Sequence, residues 1–221
     1  MEPSVIILIV IVIAGVIAFS IYAAAKRRKE LHDWADSRGL NFDPGKSHDM
    51  DSRYVEFKCL NKGRNRYAYN IITGPLNQRE ITAFDYRYTT GSGKNRKTHH
   101  LSAIIVVAPI PLEPLFIRRE GFFDKVTEFF GADDIDFESA EFSRKFFVKS
   151  TNKKWAYDVI HQRMMEYLLG APWFSIQFSG DSIIAWNQRR FTTGDFQSAF
   201  GLIEGMIERF PEYLIKQQTG K

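Results

Sequence analysis

The sequence has few of the residues that build disulfides and metal sites. Its 221 residues include one cysteine, Cys59, and five histidines. A single cysteine excludes a disulfide within the chain and fits a reducing compartment. Apolar and polar residues alternate in the segment 54–60 that contains it, so we interpret Cys59 as a small buried hydrophobe rather than a nucleophile.

Motifs for phosphate, zinc and nucleophilic chemistry are also lacking. The run Gly91-Ser92-Gly93-Lys94 does not have the G-x-x-x-x-G-K-[ST] spacing of a phosphate-binding loop, and a strand rather than a helix is predicted after it. His99 and His100 are adjacent, so a strand would point them to opposite faces. No zinc-ligand spacing and no Ser/His/Asp arrangement is recognisable. We therefore expect no cofactor and no metal site, and we assign no catalytic residue.

Two acidic segments have the composition of cation sites. Residues 133–141 contain five carboxylates but not the pattern of a calcium loop, which ends in a Glu at its twelfth position. His48, Asp49 and Asp51 lie among turn-forming residues, where no rigid element would hold them. Both segments are predicted to be solvated, and cation binding to 133–141 stays open as the alternative.

One long hydrophobic run dominates the chain. Residues 5–25 contain no charged residue and no proline. As a helix they would be roughly 30 Å long, the thickness of the hydrocarbon core of a bilayer. A secretory signal peptide is the alternative, with Ala23-Ala24-Ala25 as its cleavage site, but no Lys or Arg precedes the run and the run is too long. The sequence therefore predicts one transmembrane helix.

A basic cluster follows this span directly. Lys26, Arg27, Arg28 and Lys29 supply most of the formal net charge of +4. Basic residues beside a span favour the cytoplasmic side, so the N-terminus is predicted outside and the C-terminal domain in the cytoplasm of a single-pass protein of the cell membrane. These four residues are the predicted membrane-surface contact with the lipid bilayer. Because the positive excess lies at the membrane edge, no nucleic-acid partner is expected.

The domain division follows from these features. We predict an N-terminal segment and span (1–25), a basic juxtamembrane helix and linker (26–52) and a cytoplasmic domain (53–221). The helix is expected to continue over 26–38 and to stop at Gly39, and 41–53 is rich in turn formers.

Periodicity predicts an α+β domain with an antiparallel sheet and three packed helices. A four-stranded meander is predicted over 53–60, 64–73, 78–89 and 99–108. Pro109, Pro111 and Pro114 are expected to break the sheet into a crossover. The further predicted strands are 115–119, 145–150, 173–179 and 182–188, the last two joined as a hairpin through Ser179-Gly180-Asp181. The predicted helices are 121–130, 153–169 and 194–209, with Gly201 and Gly205 allowing close packing of the last.

A Phe-rich strand ending in Val-x-Ser, Phe142 to Ser150, precedes a helix with a Met pair, Met164-Met165. Over about 115–170 this pattern resembles a family of uncharacterised bacterial membrane-anchored proteins. The resemblance implies an anchored cytoplasmic α+β domain and no activity.

These features together favour a membrane-anchored cytoplasmic domain that binds or scaffolds a protein partner at the cytoplasmic face. Two alternatives stay open. One is a membrane-associated enzyme, whose site would gather Asp85, His99 or His100, Glu138 and Glu141, because catalytic sets are usually scattered in sequence. The other is a lipid-surface sensor that acts through residues 26–38.

Overall fold

The computed structural model describes residues 3–121 and 135–219. Its first element, helix α1 (Pro3–Asp36), runs without a break from the apolar run through the basic cluster. By length and composition the helix could cross a bilayer, and its apolar part is exposed. Near its end Leu31, Trp34 and Ala35 are buried, and Gly39 follows with φ +66° as the predicted stop. One end of α1 therefore belongs to the folded domain.

The fold is α+β with an antiparallel sheet, as predicted. The elements after α1 are β1 (Asn41–Ser47), α2 (Met50–Arg53), β2 (Arg64–Leu76), β3 (Arg79–Thr90), β4 (Lys97–Arg119), α3 (Ala140–Lys145), β5 (Phe146–Ser150), α4 (Lys153–Val159), α5 (Gln162–Gly170), β6 (Ser175–Asn187), α6 (Thr193–Ile207) and α7 (Glu212–Thr219). Short 3₁₀ helices occupy Lys58–Leu60 and Gly93–Asn95. The sheet order is β1-β2-β3-β4-β5, and β6 also pairs with β4.

The meander exists, but its first strand is not the predicted one. The linker predicted over 41–53 is wrong, because 41–47 pair with β2 as edge strand β1. The strand predicted over 53–60 is also wrong. This segment instead covers the second face of the sheet, where Phe57, Cys59 and Leu60 are buried. Tyr86 and Gln177 donate side-chain hydrogen bonds to carbonyls of 56–60, so no strand partner is needed there.

Strand β4 continues through the prolines that were expected to end it. It pairs with β3 over 97–106 and with β5 over 115–119, while β6 lies along its other edge. Between Val107 and Leu112 it carries extra residues that β6 does not match, and a second irregularity lies between Leu112 and Leu115. Prolines are tolerated at such bulges because no ladder hydrogen bond is required of them. The predicted crossover is therefore a bend within one strand.

The hairpin predicted across Ser179-Gly180-Asp181 is wrong for the same reason. Residues 175–187 form the single strand β6, and Gly180, with φ +62°, lies at its bend opposite Leu112. Both halves of β6 pair with β4 rather than with each other. Gly180, which predicted a turn, therefore lies at a kink in β6 where this strand follows the bend of β4.

Hydrophobic clusters cover both faces of the sheet. The larger cluster joins one face to α1, α4, α5, α6 and α7, and the smaller one joins the other face to the segment 50–60. The described chain contains more than the three predicted helices, partly because the helix over 153–169 is divided at Ile160 and His161. His161 Nε2 lies 2.9 Å from the Arg209 carbonyl oxygen, which holds the break against the end of α6. The helix predicted over 121–130 lies, apart from Gly121, outside the described residues.

Helix α6 confirms one of two predicted close contacts. A Cβ added at Gly205 would lie 2.2 Å from the Tyr167 hydroxyl, whereas one at Gly201 would meet nothing within 4 Å. Gly205 is therefore the glycine that lets α5 and α6 approach.

Candidate functional site at the junction of helix and sheet

Arg27 joins the end of the apolar helix to the centre of the sheet. Its Nε and Nη2 donate to the two oxygens of Asp85 over 2.8 and 2.6 Å, and its Nη1 donates to the Phe191 carbonyl over 2.8 Å. The Asp85 side chain is fully buried and that of Arg27 is 17% exposed. This bidentate pair fixes the direction in which α1 leaves the domain.

Two further donors complete the environment of Asp85. Asn70 Nδ2 donates over 2.9 Å, and the Ser102 hydroxyl donates to the other oxygen. Asn70 has φ +51° and lies where the register of β2 shifts against β3. A bulge re-aims a side chain, which here brings the amide to the buried carboxylate.

The same network reaches the loop before α6. The Phe191 backbone N–H donates to Ser102 Oγ over 3.0 Å, and Phe191 also accepts from Arg27. The network thus connects α1, β2, β3, β4 and the β6–α6 loop. Moving an ion pair out of water costs free energy. Here the hydrogen bonds to the Asp85 oxygens and from the Arg27 guanidinium offset that cost.

Apolar contacts extend the junction along α1. The rings of Trp34 and Phe196 are 6.0 Å apart, and the Arg38 guanidinium lies 4.7 Å from the centre of the Trp34 ring. Because the apolar side chains of 31–35 face the domain, they are not available to insert into a bilayer. The sensor predicted over 26–38 therefore lacks its apolar face.

The basic cluster predicted to contact lipid is divided by the structure. Lys26 and Lys29 are exposed and pair with Glu30 and Asp33 on the same helix. Arg27 turns into the junction. Arg28 is exposed and lines a separate cleft. Contact of Lys26, Arg28 and Lys29 with lipid stays a prediction, whereas the main partner of Arg27 is Asp85.

We call this second feature the basic cleft. It has a volume of about 250 Å³. Its lining residues are Arg28, Pro44, Lys46, Tyr67, Tyr69, Arg87, His100 and Arg190. Four of these are cations and none is a carboxylate. The cleft opens beside the point where α1 enters the domain, because Arg28 follows Arg27 directly.

Burial and charge shift two pKa values in the cleft. The pKa of His100 is lowered from 6.5 by burial and by the nearby Arg190 and Arg87. The pKa of Tyr69 is raised from 10.0 by burial and by Asp85, and Arg190 opposes that rise. The Tyr69 hydroxyl lies 3.4 Å from His100 Nδ1.

Three of the residues proposed for an enzyme site have separate partners, and Glu138 lines a different cavity beside Tyr157. Asp85 is occupied by Arg27, His99 Nε2 lies 2.7 Å from Thr90 Oγ1, and Glu141 pairs with Lys145 on α3. No group of three metal-ligating side chains occurs in 3–121 or 135–219. Asp133 and Asp134 of the acidic segment lie outside these ranges.

A larger cavity of about 360 Å³ lies beside the start of α6. The Arg119 guanidinium stacks 3.6 Å from the centre of the Trp173 ring, and Arg189 and Asp195 form a bidentate pair at the edge. No local motif marks this cavity, because its residues come from β4, β6, the segments on either side of β6 and the start of α6.

No protein-family model matches the sequence of this chain, and no curated protein matches it. The crystal structure of the mycobacterial trehalose monomycolate transport factor A, TtfA, has a similar fold, with a TM-score of 0.60. The match covers 84% of this chain and 93% of that chain, at 14% sequence identity. At this identity the likeness shows a shared fold.

Proposed function

We propose that this protein is a single-pass membrane anchor whose cytoplasmic α+β domain binds or scaffolds a protein partner in a membrane transport assembly. The observation that carries the proposal is the continuity of α1 from an exposed apolar segment to a buried ion pair, Arg27 with Asp85. A flexible tether would only localise the domain. A helix locked into the sheet also sets the orientation of the domain to the bilayer.

The junction supports retention of the apolar segment. Cleavage after Ala25 would leave Arg27 on the first turn of a shortened helix, where backbone N–H groups lack partners and the helix frays. The buried Asp85 would then depend on a mobile cation. An uncleaved α1 holds the guanidinium in place.

Two observations support the side of the membrane and the role. The cations that follow the apolar run favour the cytoplasm, and the single cysteine of the sequence, Cys59, is buried and cannot form a disulfide within the chain. The similar fold of TtfA, named a transport factor, supports an accessory role in transport rather than catalysis.

The topology can be tested with single cysteines and a maleimide reagent that does not cross membranes. Ser4→Cys should react in right-side-out membrane vesicles, and Gln217→Cys only in inverted vesicles. Cys59 is fully buried, so the background should be low. Reaction of Gln217→Cys in right-side-out vesicles would place the domain outside and contradict the proposal.

The binding role can be tested by photo-crosslinking in intact membranes. A crosslinker is placed at Trp173, beside the larger cavity, and at Tyr157 as the matched site, since both are 48% exposed. A scaffold contact should give one reproducible membrane-protein adduct from one position and not from the other. The same adduct pattern at both positions, or none at either, would count against a specific partner.

A further inference from the structure

The basic cleft gathers four cations from four parts of the fold. Arg28 comes from α1, Lys46 from β1, Arg87 from β3 and Arg190 from the loop before α6. Within the described ranges, none of these four cations pairs with a carboxylate. Like charges gathered in one concave site repel each other, and an anion would relieve that repulsion.

Two of the cations are held in place by one aromatic ring. Lys46 Nζ lies 5.0 Å and the Arg87 guanidinium 5.5 Å from the centre of the Tyr67 ring, and Arg87 Nη1 donates to the Tyr67 hydroxyl over 3.3 Å. Tyr67, Tyr69, Arg87 and His100 are half-buried. Binding would therefore require little further ordering of Arg87, whereas the side chains of Arg28, Lys46 and Arg190 are exposed and become ordered when the anion binds.

The size of the cleft limits the anion. Its volume of about 250 Å³ is below the roughly 300–1,000 Å³ of pockets that enclose drug-sized ligands. A phosphate group with a small substituent fits this space. Arginine forks match the oxygens of a phosphate, and lysine adds a point charge.

The position of the cleft indicates where the phosphate comes from. Arg28 lies three residues after Ala25, the last residue of the apolar run, which is about 4.5 Å along a helix. The headgroup layer on each side of a bilayer is about 5–8 Å thick. With α1 spanning the bilayer, Arg28 at the wall of the cleft would therefore lie at the depth of the lipid phosphates.

We propose that the basic cleft binds the phosphate of an anionic phospholipid in the leaflet next to the domain, through Arg28, Lys46, Arg87 and Arg190. This inference rests on the proposed anchoring of α1. The proposed site is a specific cleft in the folded domain, in contrast to nonspecific electrostatic attraction between the bilayer and residues 26–29.

The test compares two double variants of equal net charge. Lys46→Ala with Arg190→Ala removes two cations of the cleft, and Lys26→Ala with Lys29→Ala removes two exposed cations of α1 outside it. The full chain in detergent micelles is titrated with short-chain phosphatidylglycerol, phosphatidylcholine or inorganic phosphate. Native mass spectrometry counts the ligand bound. Thermal unfolding of both variants verifies the fold.

A cleft that binds lipid should take one phosphatidylglycerol in preference to phosphatidylcholine. The cleft variant should bind it roughly tenfold more weakly or worse, since two contacts near the surface are lost, and the α1 variant should change less than twofold. Equal losses in the two variants would overturn the proposal. So would inorganic phosphate binding as tightly as the lipid, which would assign the site to a soluble ligand. Neither result depends on a protein partner. A negative result would therefore overturn lipid binding by the cleft without contradicting the proposed binding of a protein partner.

Discussion

The junction and the basic cleft use the same residue types in opposite ways. Arg27 is paired with a buried carboxylate, whereas Arg28 beside it lines a cleft without carboxylates. The same division recurs at the other side of the cleft, where Arg189 pairs with Asp195 and Arg190 does not. Position in the fold, and not residue type, thus decides which arginine stabilises the protein and which is available to a ligand.

This difference separates stability from binding. Substitutions at the junction should change the free energy of unfolding, and substitutions in the cleft should change anion affinity.

Asp85→Ala should cause the largest loss of stability. It leaves the Arg27 guanidinium, the Asn70 amide and the Ser102 hydroxyl without their buried acceptor, and such losses cost about 3–5 kcal/mol. Urea unfolding of the full chain in micelles measures the change. Asp33→Ala is the control, because the Asp33 carboxylate pairs with Lys29 at the surface, and its unfolding midpoint should not move. Equal midpoints for Asp85→Ala and the wild type would show that the junction contributes no stability.

Arg27→Ala and Arg28→Ala are a matched pair one residue apart. Arg27→Ala should cost about 2–3 kcal/mol, since it leaves a buried carboxylate with only neutral donors. Arg28→Ala should leave the unfolding midpoint unchanged. The double variant of Arg27→Ala and Asp85→Ala should lose less than the sum of the two single losses, because the two side chains act as a unit. Additive losses would contradict their coupling.

The sequence allowed much of the fold to be predicted. The long apolar run predicts α1 directly. The spacing of apolar residues predicts the strands β2 and β3 and the helix α6. The elements that were missed depend on tertiary contacts. Edge strand β1 contains Asp43-Pro44-Gly45, which has the composition of a turn, and only its pairing with β2 makes it a strand. The prolines of β4 are accommodated by bulges that only the register against β6 reveals.

The candidate site was harder to predict than the fold. The cations 26–29 look equivalent in sequence, and nothing local distinguishes Arg27. The sequence around Asp85 has one unusual feature, which is an acidic residue between the apolar residues Phe84 and Tyr86 of a predicted strand. A lone carboxylate there requires a cation, but the partner lies 58 residues away. The cleft is lined by six separate segments of the chain, so no local motif could predict it.

Asp195→Asn should show a smaller and pH-dependent loss. Arg189 and the N-cap residue Thr192 donate to this carboxylate and hold its pKa well below the ordinary 3.8. A lowered pKa contributes stability above the ordinary value, and that contribution disappears as the pH falls. We expect Asp195→Asn to lower the free energy of unfolding by about 1 kcal/mol at pH 7. The difference from the wild type should become smaller as the pH falls below about 4.

Thr192→Ala is the matched variant for this carboxylate. It removes the cap hydroxyl but keeps the pairing of Asp195 with Arg189, so its loss should vary much less with pH. Thermal unfolding between pH 3 and pH 7 distinguishes the two variants. If the difference in unfolding temperature between Asp195→Asn and the wild type is the same at every pH in this range, the pKa of Asp195 is not lowered.

The smallest expected effect is a change in the titration of His100, and it reports directly on the charge of the cleft. Burial and the cations Arg190 and Arg87 lower the pKa of His100 below 6.5. Removing one of these cations in Arg190→Ala should move the pKa back upward, whereas Lys26→Ala on the exposed face of α1 should leave it unchanged. Binding of phosphatidylglycerol should also raise it, because an anion stabilises the imidazolium. Proton NMR of the imidazole ring measures each step. If the pKa of His100 is the same in Arg190→Ala and the wild type, the cleft does not concentrate positive charge, and Arg28 and Arg190 are ordinary surface cations.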